Sequence, residues 1–361
     1  MKHKIKLVII FAAFVFGGLA VSFSSQRAQT RTTQVETAGQ RFKNIKVLND
    51  MPADQLGKVM NIFSASLGVN CDFCHYGEDF EKDGKKEKET ARDMIKMTMS
   101  LNKDHFRGRP EVSCNTCHHG LDHPQAQVNL SPEPIAERPK QPETKPTVDQ
   151  IIDKYIAALG GAQKLAKITS REIKSVRVEP DGRTTEPENK WFKEGKYFSE
   201  TMYGTTAVTE GFDGTKGWKA GNKAAIYMKP DEAEQVRREG ELSAPEKIKQ
   251  IYPKMEYRAL DRIDGHEVYV VFATAASGTR ERLFFDVATG FLVRRSTATP
   301  TMFGNYTYQV DYLDYKLFGG VKLPATVKYS MPNIRWTSKV VSLKNNPQID
   351  DKRFESIAAG H

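Results

Sequence analysis

The sequence predicts a multidomain protein in which a mostly helical region precedes an antiparallel β domain with a few helices. The chain has 361 residues, more than a single hydrophobic core usually holds, which favours two folding units. Apolar residues recur at helical spacing within 52–68 and 88–102. From residue 173 onward, short alternating segments are separated by turn sequences, which is typical of an antiparallel sheet.

The extreme N-terminus, residues 1–24, has the composition of a signal peptide or a membrane anchor. Lys2, Lys4 and Lys6 form a basic start, and the following run from 7 to 23 is uncharged. No small-x-Ala cleavage site is well formed, so a retained anchor and a cleaved signal both stay open. We therefore expect a periplasmic protein that is either released or tethered to the cytoplasmic membrane.

Basic and acidic side chains are interleaved along the whole chain. The 54 Lys and Arg residues against 45 Asp and Glu residues give a formal net charge of +9. Because these charges form no basic block, we expect no nucleic-acid partner. A mildly basic surface suits acidic partner proteins or anionic lipid headgroups.

All four cysteines of the chain lie in two Cys-x-x-Cys-His motifs within the region 40–123. The motif residues are Cys71, Cys74 and His75, then Cys114, Cys117 and His118. This motif is the attachment signature of c-type haem. The two thiols add to the two vinyl groups of one porphyrin, and the histidine lies under the iron as an axial ligand. The sequence predicts two covalently bound haem c groups and leaves no cysteine for a disulfide.

Two other uses of paired cysteines fit the sequence less well. A single four-cysteine zinc site leaves His75 and His118 unexplained, and the two pairs lie further apart than in usual zinc sites. A thioredoxin-like redox pair needs a strand–helix–strand setting, which the surrounding sequence lacks.

The ligand on the other side of each iron is less constrained by the sequence. Met60 and Met94 lie on the amphipathic helices predicted before the two motifs, where a thioether can reach the iron. A methionine at helical spacing is also an ordinary core residue, and Met97 competes with Met94 on the same helix. Three histidines are rival ligands: His105, His119 and His123.

The stretches VMNIFSASLGVNCDFCH, KETARDMIKMTMSLN and VSCNTCHHG together resemble the cytochrome c subunit of bacterial photosynthetic reaction centres. The resemblance covers about residues 42–121. It implies that Met60 is the distal ligand of the first haem and Met94 that of the second. The family usually binds four haems, whereas this chain has motifs for two, so the resemblance implies electron transfer in general more than donation to a reaction centre.

The stretches EGFDGTKGW, LFFDVATGFLVRR, GGVKLPATV and NNPQIDDKRFE, within about 148–356, resemble the LolA-like lipoprotein-sorting family. This resemblance implies an incomplete β-barrel over residues 147–358, with lipid, lipoprotein or quinone as candidate ligands. Six aromatic residues are available for an ordinary core or a cavity lining: Trp191, Trp218, Phe284, Phe285, Tyr306 and Tyr308. Asp213 and Asp286 stand in Gly-containing turns, where aspartate bonds to the backbone, so we assign them no catalysis.

These observations predict an exported dihaem c-type cytochrome that transfers one electron at a time to redox partner proteins. A Pro-rich linker at 124–146 joins its haem domain, 40–123, to the β domain. No catalytic residue is assigned, and an electron carrier is favoured over an enzyme. The alternatives are a dihaem peroxidase-like enzyme, a lipid- or lipoprotein-binding protein with a haem redox sensor, and an electron donor to a photosynthetic reaction centre.

Overall fold

The described residues of the computed structural model fall in five ranges: 35–124, 139–203, 205–221, 224–241 and 245–356. The predicted signal or anchor at 1–24 lies outside them, and so does most of the predicted linker at 124–146. Among the described residues, no helix is both long enough and apolar enough to cross a membrane.

Helices occur in the N-terminal region and again beside the sheet. Those of the described residues are α1 (Ala38–Arg41), α2 (Leu56–Leu67), α3 (Lys86–Phe106), α4 (Cys114–His118), α5 (Val148–Leu159), α6 (Ala162–Leu165), α7 (Pro230–Glu241) and α8 (Ile248–Ile251). Short 3-10 turns add Ala53–Gln55, Cys71–Phe73, Pro245–Lys247 and Asp351–Phe354.

The N-terminal region is helical only in part, so the expectation of a mostly helical haem domain is not confirmed. The segments 42–52, 74–85 and 107–113 are loops. They contain Gly, Asp and Pro, which favour turns over helices. The two long helices of the region are α2 and α3. The first Cys-x-x-Cys-His motif follows α2, and the second follows α3 after a short loop.

The helix α2 ends where the sequence predicts. Its buried residues include Val59, Ile62 and Phe63, which recur at helical spacing on one face. Gly68 follows the helix in the left-handed conformation, with φ +65°, and this stops it. The chain then turns directly into the first haem motif.

The helix α3 buries only part of the face expected from the sequence, which comprises Ala91, Met94, Ile95 and Thr98. Its buried residues are Lys88, Arg92, Ile95, Thr98 and Asn102, whereas Met94 is exposed. Adjacent helical positions differ by about 100°, so a face centred on Ile95 and Thr98 turns Met94 toward solvent.

Strands make up most of the C-terminal domain. They are β1 (Ser170–Val178), β2 (Thr184–Lys193), β3 (Lys196–Tyr203), β4 (Thr206–Phe212), β5 (Gly217–Ala220), β6 (Ile226–Tyr227), β7 (Lys254–Ile263), β8 (His266–Thr274), β9 (Arg280–Asp286), β10 (Leu292–Thr301), β11 (Gly304–Phe318), β12 (Val321–Ser330) and β13 (Arg335–Asn345).

Within the described residues, these strands form one open antiparallel sheet. Its order is β6-β5-β4-β3-β2-β1-β13-β12-β11-β10-β9-β8-β7. Strands β1 to β6 form one meander and strands β7 to β13 form another. The pairing of β1 with β13 joins the two meanders. The predicted antiparallel sheet is confirmed, since alternating segments with short turns pair with their neighbours in the chain.

The helices α5, α7 and α8 cover one face of this sheet. Ile152 of α5 and Ile248 beside it pack into the main core with Leu283 and Phe285 of β9. The predicted aromatic residues do not line one cavity. Trp191 and Trp218 belong to a small separate cluster, and Phe284 to another on the opposite side of its strand from Phe285. Successive side chains of a strand point to opposite faces of the sheet, so the rings of Phe284 and Phe285 lie on different sides.

Charged side chains are buried on the covered face where β9 and β10 lie. The Glu281 carboxylate lies 3.4 Å from the Arg295 guanidinium and 3.3 Å from that of Arg238 on α7. It also accepts a hydrogen bond from the Tyr252 hydroxyl. All four side chains are buried. This part of the face is therefore polar and crosslinked by ion pairs.

Candidate haem sites

The first Cys-x-x-Cys-His motif forms one tight turn after α2. The 3-10 turn Cys71–Phe73 leads into Cys74 and His75, and the His75 amide donates to the Cys71 carbonyl at 3.0 Å. The Cys71 thiol is exposed, and burial raises the pKa of the Cys74 thiol. The His75 ring packs edge-on against Phe80, at 5.2 Å between ring centroids. Burial, helped by Lys88, lowers the pKa of His75 and favours the neutral ring that iron ligation requires.

The second motif is the helix α4. Ser113 precedes it as the N-cap residue in a capping box with Thr116. The His118 Nδ1 atom lies 2.9 Å from the carbonyl oxygen of Leu121. A hydrogen bond from Nδ1 to a carbonyl fixes the ring and leaves Nε2 free as a metal ligand. The same turn therefore presents two thiols and one oriented imidazole.

The two cysteines of the second motif differ in exposure. Cys117 is exposed, whereas Cys114 is partly covered by the core of the haem region. Burial raises the pKa of the Cys114 thiol to about 11. Within the described part of the chain all four thiols are free, so no disulfide competes with haem attachment.

A cluster of ion pairs around Asp83 ties the loop after the first motif to α3. The Asp83 carboxylate lies 2.6 Å from Lys46, 3.0 Å from Lys88 and 2.9 Å from Arg92. It also accepts a hydrogen bond from the Asn44 side chain. Pairing with the Asp83 carboxylate explains why the charged residues Lys88 and Arg92 occupy the buried face of α3. The cluster fixes the loop that holds Phe80 against His75.

The two candidate methionine ligands lie in different surroundings. Met60 is partly buried against a core cluster that also includes Cys114 of the second motif. Met94 is 37% exposed and Met97 46% exposed, one turn apart on the same side of α3. The assignment of Met60 and Met94 as distal ligands stays a prediction. The rival histidines His105, His119 and His123 are all exposed.

Apolar side chains stand exposed in or next to both motifs. They are Phe73, Tyr76 and Phe80 at the first motif and Leu121 after the second; Phe42, Met94 and Met97 are exposed elsewhere in the haem region. Exposed apolar side chains that stand together often mark a place that a ligand or partner covers. A haem macrocycle is flat and largely apolar, and its vinyl groups react with free thiols. The residues present therefore fit two covalently attached haems.

The zinc alternative requires a group of metal-binding side chains that lie close together. In the ranges that the structure describes, no group of three or more His, Cys, Asp and Glu side chains could hold a metal ion.

One residue of the haem region's core was missed by the sequence analysis because it comes from the β domain. Phe303, at the turn between β10 and β11, belongs to the cluster that contains Val59 and Phe63 of α2. The only signal is its position, since Met302 and Phe303 form a hairpin turn where polar residues and glycine are usual.

A family model described as the photosynthetic reaction centre cytochrome C subunit matches residues 20–203, half of the chain. This chain belongs to that family. The match includes both Cys-x-x-Cys-His motifs and ends in β3. Because the family is a family of c-type cytochromes, membership implies covalently bound haem c.

Two curated relatives match part of the chain. A photosynthetic reaction center cytochrome c subunit of Roseobacter denitrificans is 30% identical over 112 residues, 28% of this chain and 30% of the relative. Cytochrome c-554 of Chloroflexus aurantiacus is 31% identical over 127 residues, 34% of this chain and 30% of the relative. The chain thus spans about 30% of the length of each.

Among solved structures, the similarity extends over more than half of the chain. A LolA superfamily protein of Nitrosomonas europaea is 12% identical and covers 58% of this chain and 98% of its own, with a TM-score of 0.42. A putative outer membrane lipoprotein-sorting protein domain from Vibrio parahaemolyticus is 10% identical and covers 56% of this chain and 97% of its own, with a TM-score of 0.32.

Proposed function

We propose that this protein is an exported dihaem c-type cytochrome that passes one electron at a time between redox partner proteins. One observation carries the proposal. Each of two short turns presents two free thiols and an imidazole, and apolar side chains stand exposed beside both turns. We therefore expect the electron to be the only species transferred at these two turns.

Each residue of the two turns has a separate task in this proposal. Cys71 and Cys74 anchor the first haem, and the second pair anchors the other. His75 and His118 bind the two irons from the proximal side. The bound haems supply the one-electron chemistry. The chain contributes orientation, since His118 is held through its Nδ1 atom.

Met60 and Met94 are the proposed distal ligands of the first and second haems. The partly buried position of Met60 and the outward position of Met94 each suit a thioether approached by an apolar macrocycle. A thioether ligand raises the reduction potential relative to a second imidazole. These ligands would suit a carrier better than an enzyme that needs an open iron position.

The test is an optical redox titration of protein matured in a periplasm, with wild type beside Met60→Ala and Met94→Ala. We expect a far-red sulfur-to-iron band in the wild type, and each variant should lose part of it with a lower potential for one haem. Met97→Ala is the comparison variant, because Met97 is the rival ligand one turn from Met94 and is similarly exposed; loss of the band in Met97→Ala and not in Met94→Ala would assign the ligand to Met97. A wild type without this band, or with one high-spin haem that turns over peroxide, would instead support the peroxidase alternative.

The location follows from the N-terminal sequence and remains part of the proposal. A basic start and an uncharged run suit export across the cytoplasmic membrane, where c-type haem attachment takes place. Cell fractionation, with N-terminal sequencing of the mature protein, distinguishes a cleaved signal from a retained anchor.

The β domain is proposed to bind a partner molecule. Exposed apolar side chains on its strands, such as Tyr227 and Val341, are available for contacts with such a molecule. Organic extraction of the purified protein tests the lipid, lipoprotein and quinone alternatives, since co-purified lipid or quinone would favour them. Light-driven oxidation in membranes that contain a reaction centre tests the photosynthetic alternative.

A further inference from the structure

The turn between β10 and β11 has an unusual composition for a hairpin. Thr301 pairs with Gly304, so the two turn residues are Met302 and Phe303. Two-residue turns normally carry Gly, Asn or Asp, because these tolerate the required backbone angles and face water. Here Gly304, with φ +107°, supplies the conformational freedom, and the turn itself is apolar. An apolar tip indicates that something covers it.

The cover is the haem region. Phe303 is 1% exposed and meets Phe63 of α2 edge-on, with ring centroids 4.9 Å apart and an interplanar angle of 77°. The cluster around it joins α1, α2 and α3. Its other buried members are Ala38, Leu48, Met51, Val59 and Ile95, and Met60, Met99, Cys114 and Met302 pack against them.

A second hairpin of the β domain touches the same helix. The Asn333 side-chain amide, in the turn between β12 and β13, donates to the side-chain Oδ1 atom of Asn61 at 3.0 Å. Asn61 and Phe63 flank the middle of α2, and Met60 is adjacent to Asn61. Two separate tips of the sheet therefore hold α2 at the level of the proposed methionine ligand.

We infer that Phe303 is a positioning residue for the haem: it fixes α2, and through it the Met60 sulfur, so that the β domain sets a haem potential. The inference rests on the proposed function, because it concerns an iron that Met60 is proposed to bind. It gives the appended domain a role in electron transfer apart from any ligand that it binds.

The physical basis is close packing. A ring as large as that of Phe303 cannot be removed from a core without leaving a cavity or shifting its neighbours. Met60 and Phe63 are three positions apart, so they lie side by side on the same turn of α2. A shift of Phe63 into the space left by Phe303 would move the thioether relative to the iron, and an iron–sulfur contact responds to small displacements.

The test uses the full-length, haem-loaded protein and measures the potential of each haem together with the far-red band. We expect Phe303→Ala to lower the potential of one haem and to weaken the band, and Phe303→Leu to restore most of both. Leu317→Ala is the control, because Leu317 lies on β11 as well but is 68% exposed. Wild-type potentials and an unchanged band in Phe303→Ala would overturn the inference.

If Phe303→Ala fails to fold or to load haem, the milder variants still decide the matter. Phe303→Leu, Phe63→Leu and their combination form a double-mutant cycle. The inference predicts that the shifts in potential are not additive, because the two rings contact each other. Additive shifts, or none, would overturn it.

The outcome is separable from that of the proposed function. A wild type without methionine-ligated haem contradicts the ligand assignment whatever Phe303 does. A wild type with two methionine-ligated haems whose potentials are independent of Phe303 contradicts only the positioning role.

Discussion

A Cβ atom added to Gly68 would lie 2.1 Å from the carbonyl oxygen of Gly120. The end of α2 and the loop after the second haem motif are thus in direct backbone contact. The Gly120 amide completes this contact by donating to the Ser66 carbonyl at 2.9 Å. The helix that leads into the first motif therefore also supports the second.

Replacing Gly68 with alanine should damage this contact. The left-handed φ of +65° costs an alanine about 1 kcal/mol, and the overlap with a backbone oxygen adds to that cost. We expect Gly68→Ala to lower the free energy of unfolding by clearly more than about 1 kcal/mol and to reduce haem attachment at Cys114 and Cys117. Denaturant unfolding and haem stoichiometry measure the two effects.

Gly77→Ala is the matched control. Gly77 has nearly the same backbone angle, φ +57°, but nothing lies within 4 Å of an added Cβ atom. It should therefore show only the backbone cost. Equal losses in the two variants would mean that the contact with Gly120 contributes little.

The ion-pair cluster at Asp83 should make stability depend on pH. Hydrogen bonds from Lys46, then Arg92 and Lys88, hold the pKa of the Asp83 carboxyl well below its usual range. A carboxyl with a lowered folded-state pKa stabilises the protein fully above its unfolded pKa, about 3.9, and loses that effect as the pH falls toward the folded value. Asp83→Asn should therefore destabilise the protein at neutral pH, and the difference from wild type should shrink below about pH 4.

The measurement is denaturant unfolding as a function of pH, with Asp93→Asn beside it. Asp93 lies on α3 too, but it is exposed and pairs with Lys96 alone among the ion pairs of the described residues. Exposed single pairs contribute little, so this variant should stay close to wild type throughout. A loss in Asp83→Asn that is independent of pH would contradict the electrostatic explanation.

The buried ion pairs of the β domain should be sensitive to a single neutral replacement. Burial alone would raise the pKa of Glu281, but Arg295 and Arg238 reverse this and hold the pKa below its usual value. Glu281→Gln keeps the size and shape of the side chain but leaves the guanidinium groups of Arg295 and Arg238 without this carboxylate. Breaking a buried pair in this way typically costs about 3–5 kcal/mol, so urea unfolding should show a loss of that order.

Glu267→Gln provides the comparison, since Glu267 lies on β8, half-exposed and 3.9 Å from Arg262. This variant should change the free energy of unfolding by less than about 1 kcal/mol. A similar small effect of Glu281→Gln would show that the buried network is not needed for stability.

Several features of the fold could be predicted because their causes are local. The helix before the first motif follows from apolar residues at helical spacing and from Gly68 at its end. The antiparallel order follows from short alternating segments with tight turns, such as Asp264-Gly265, where both residues have positive φ. The two Cys-x-x-Cys-His motifs can be located from the sequence alone, because their residues are nearly consecutive, and haem attachment there stays a prediction.

Other features depend on contacts between distant parts of the chain. The outward position of Met94 arises because Asp83, on a separate loop, draws Lys88 and Arg92 onto the buried face of α3. The partner of Phe303 could not be inferred, since Phe63 belongs to another domain. Apolar periodicity identifies the residues that share one face of a helix or strand, but it does not identify the distant element that packs against that face.

The most direct test of the account is the number of haems covalently bound per chain. Intact mass and haem absorbance would be measured on protein matured with a c-type haem attachment system, for wild type and for Cys71→Ala/Cys74→Ala and Cys114→Ala/Cys117→Ala. We predict two haems in the wild type and one in each double variant. A wild-type chain that carries no covalent haem, or whose four thiols all react with a thiol reagent, would contradict it.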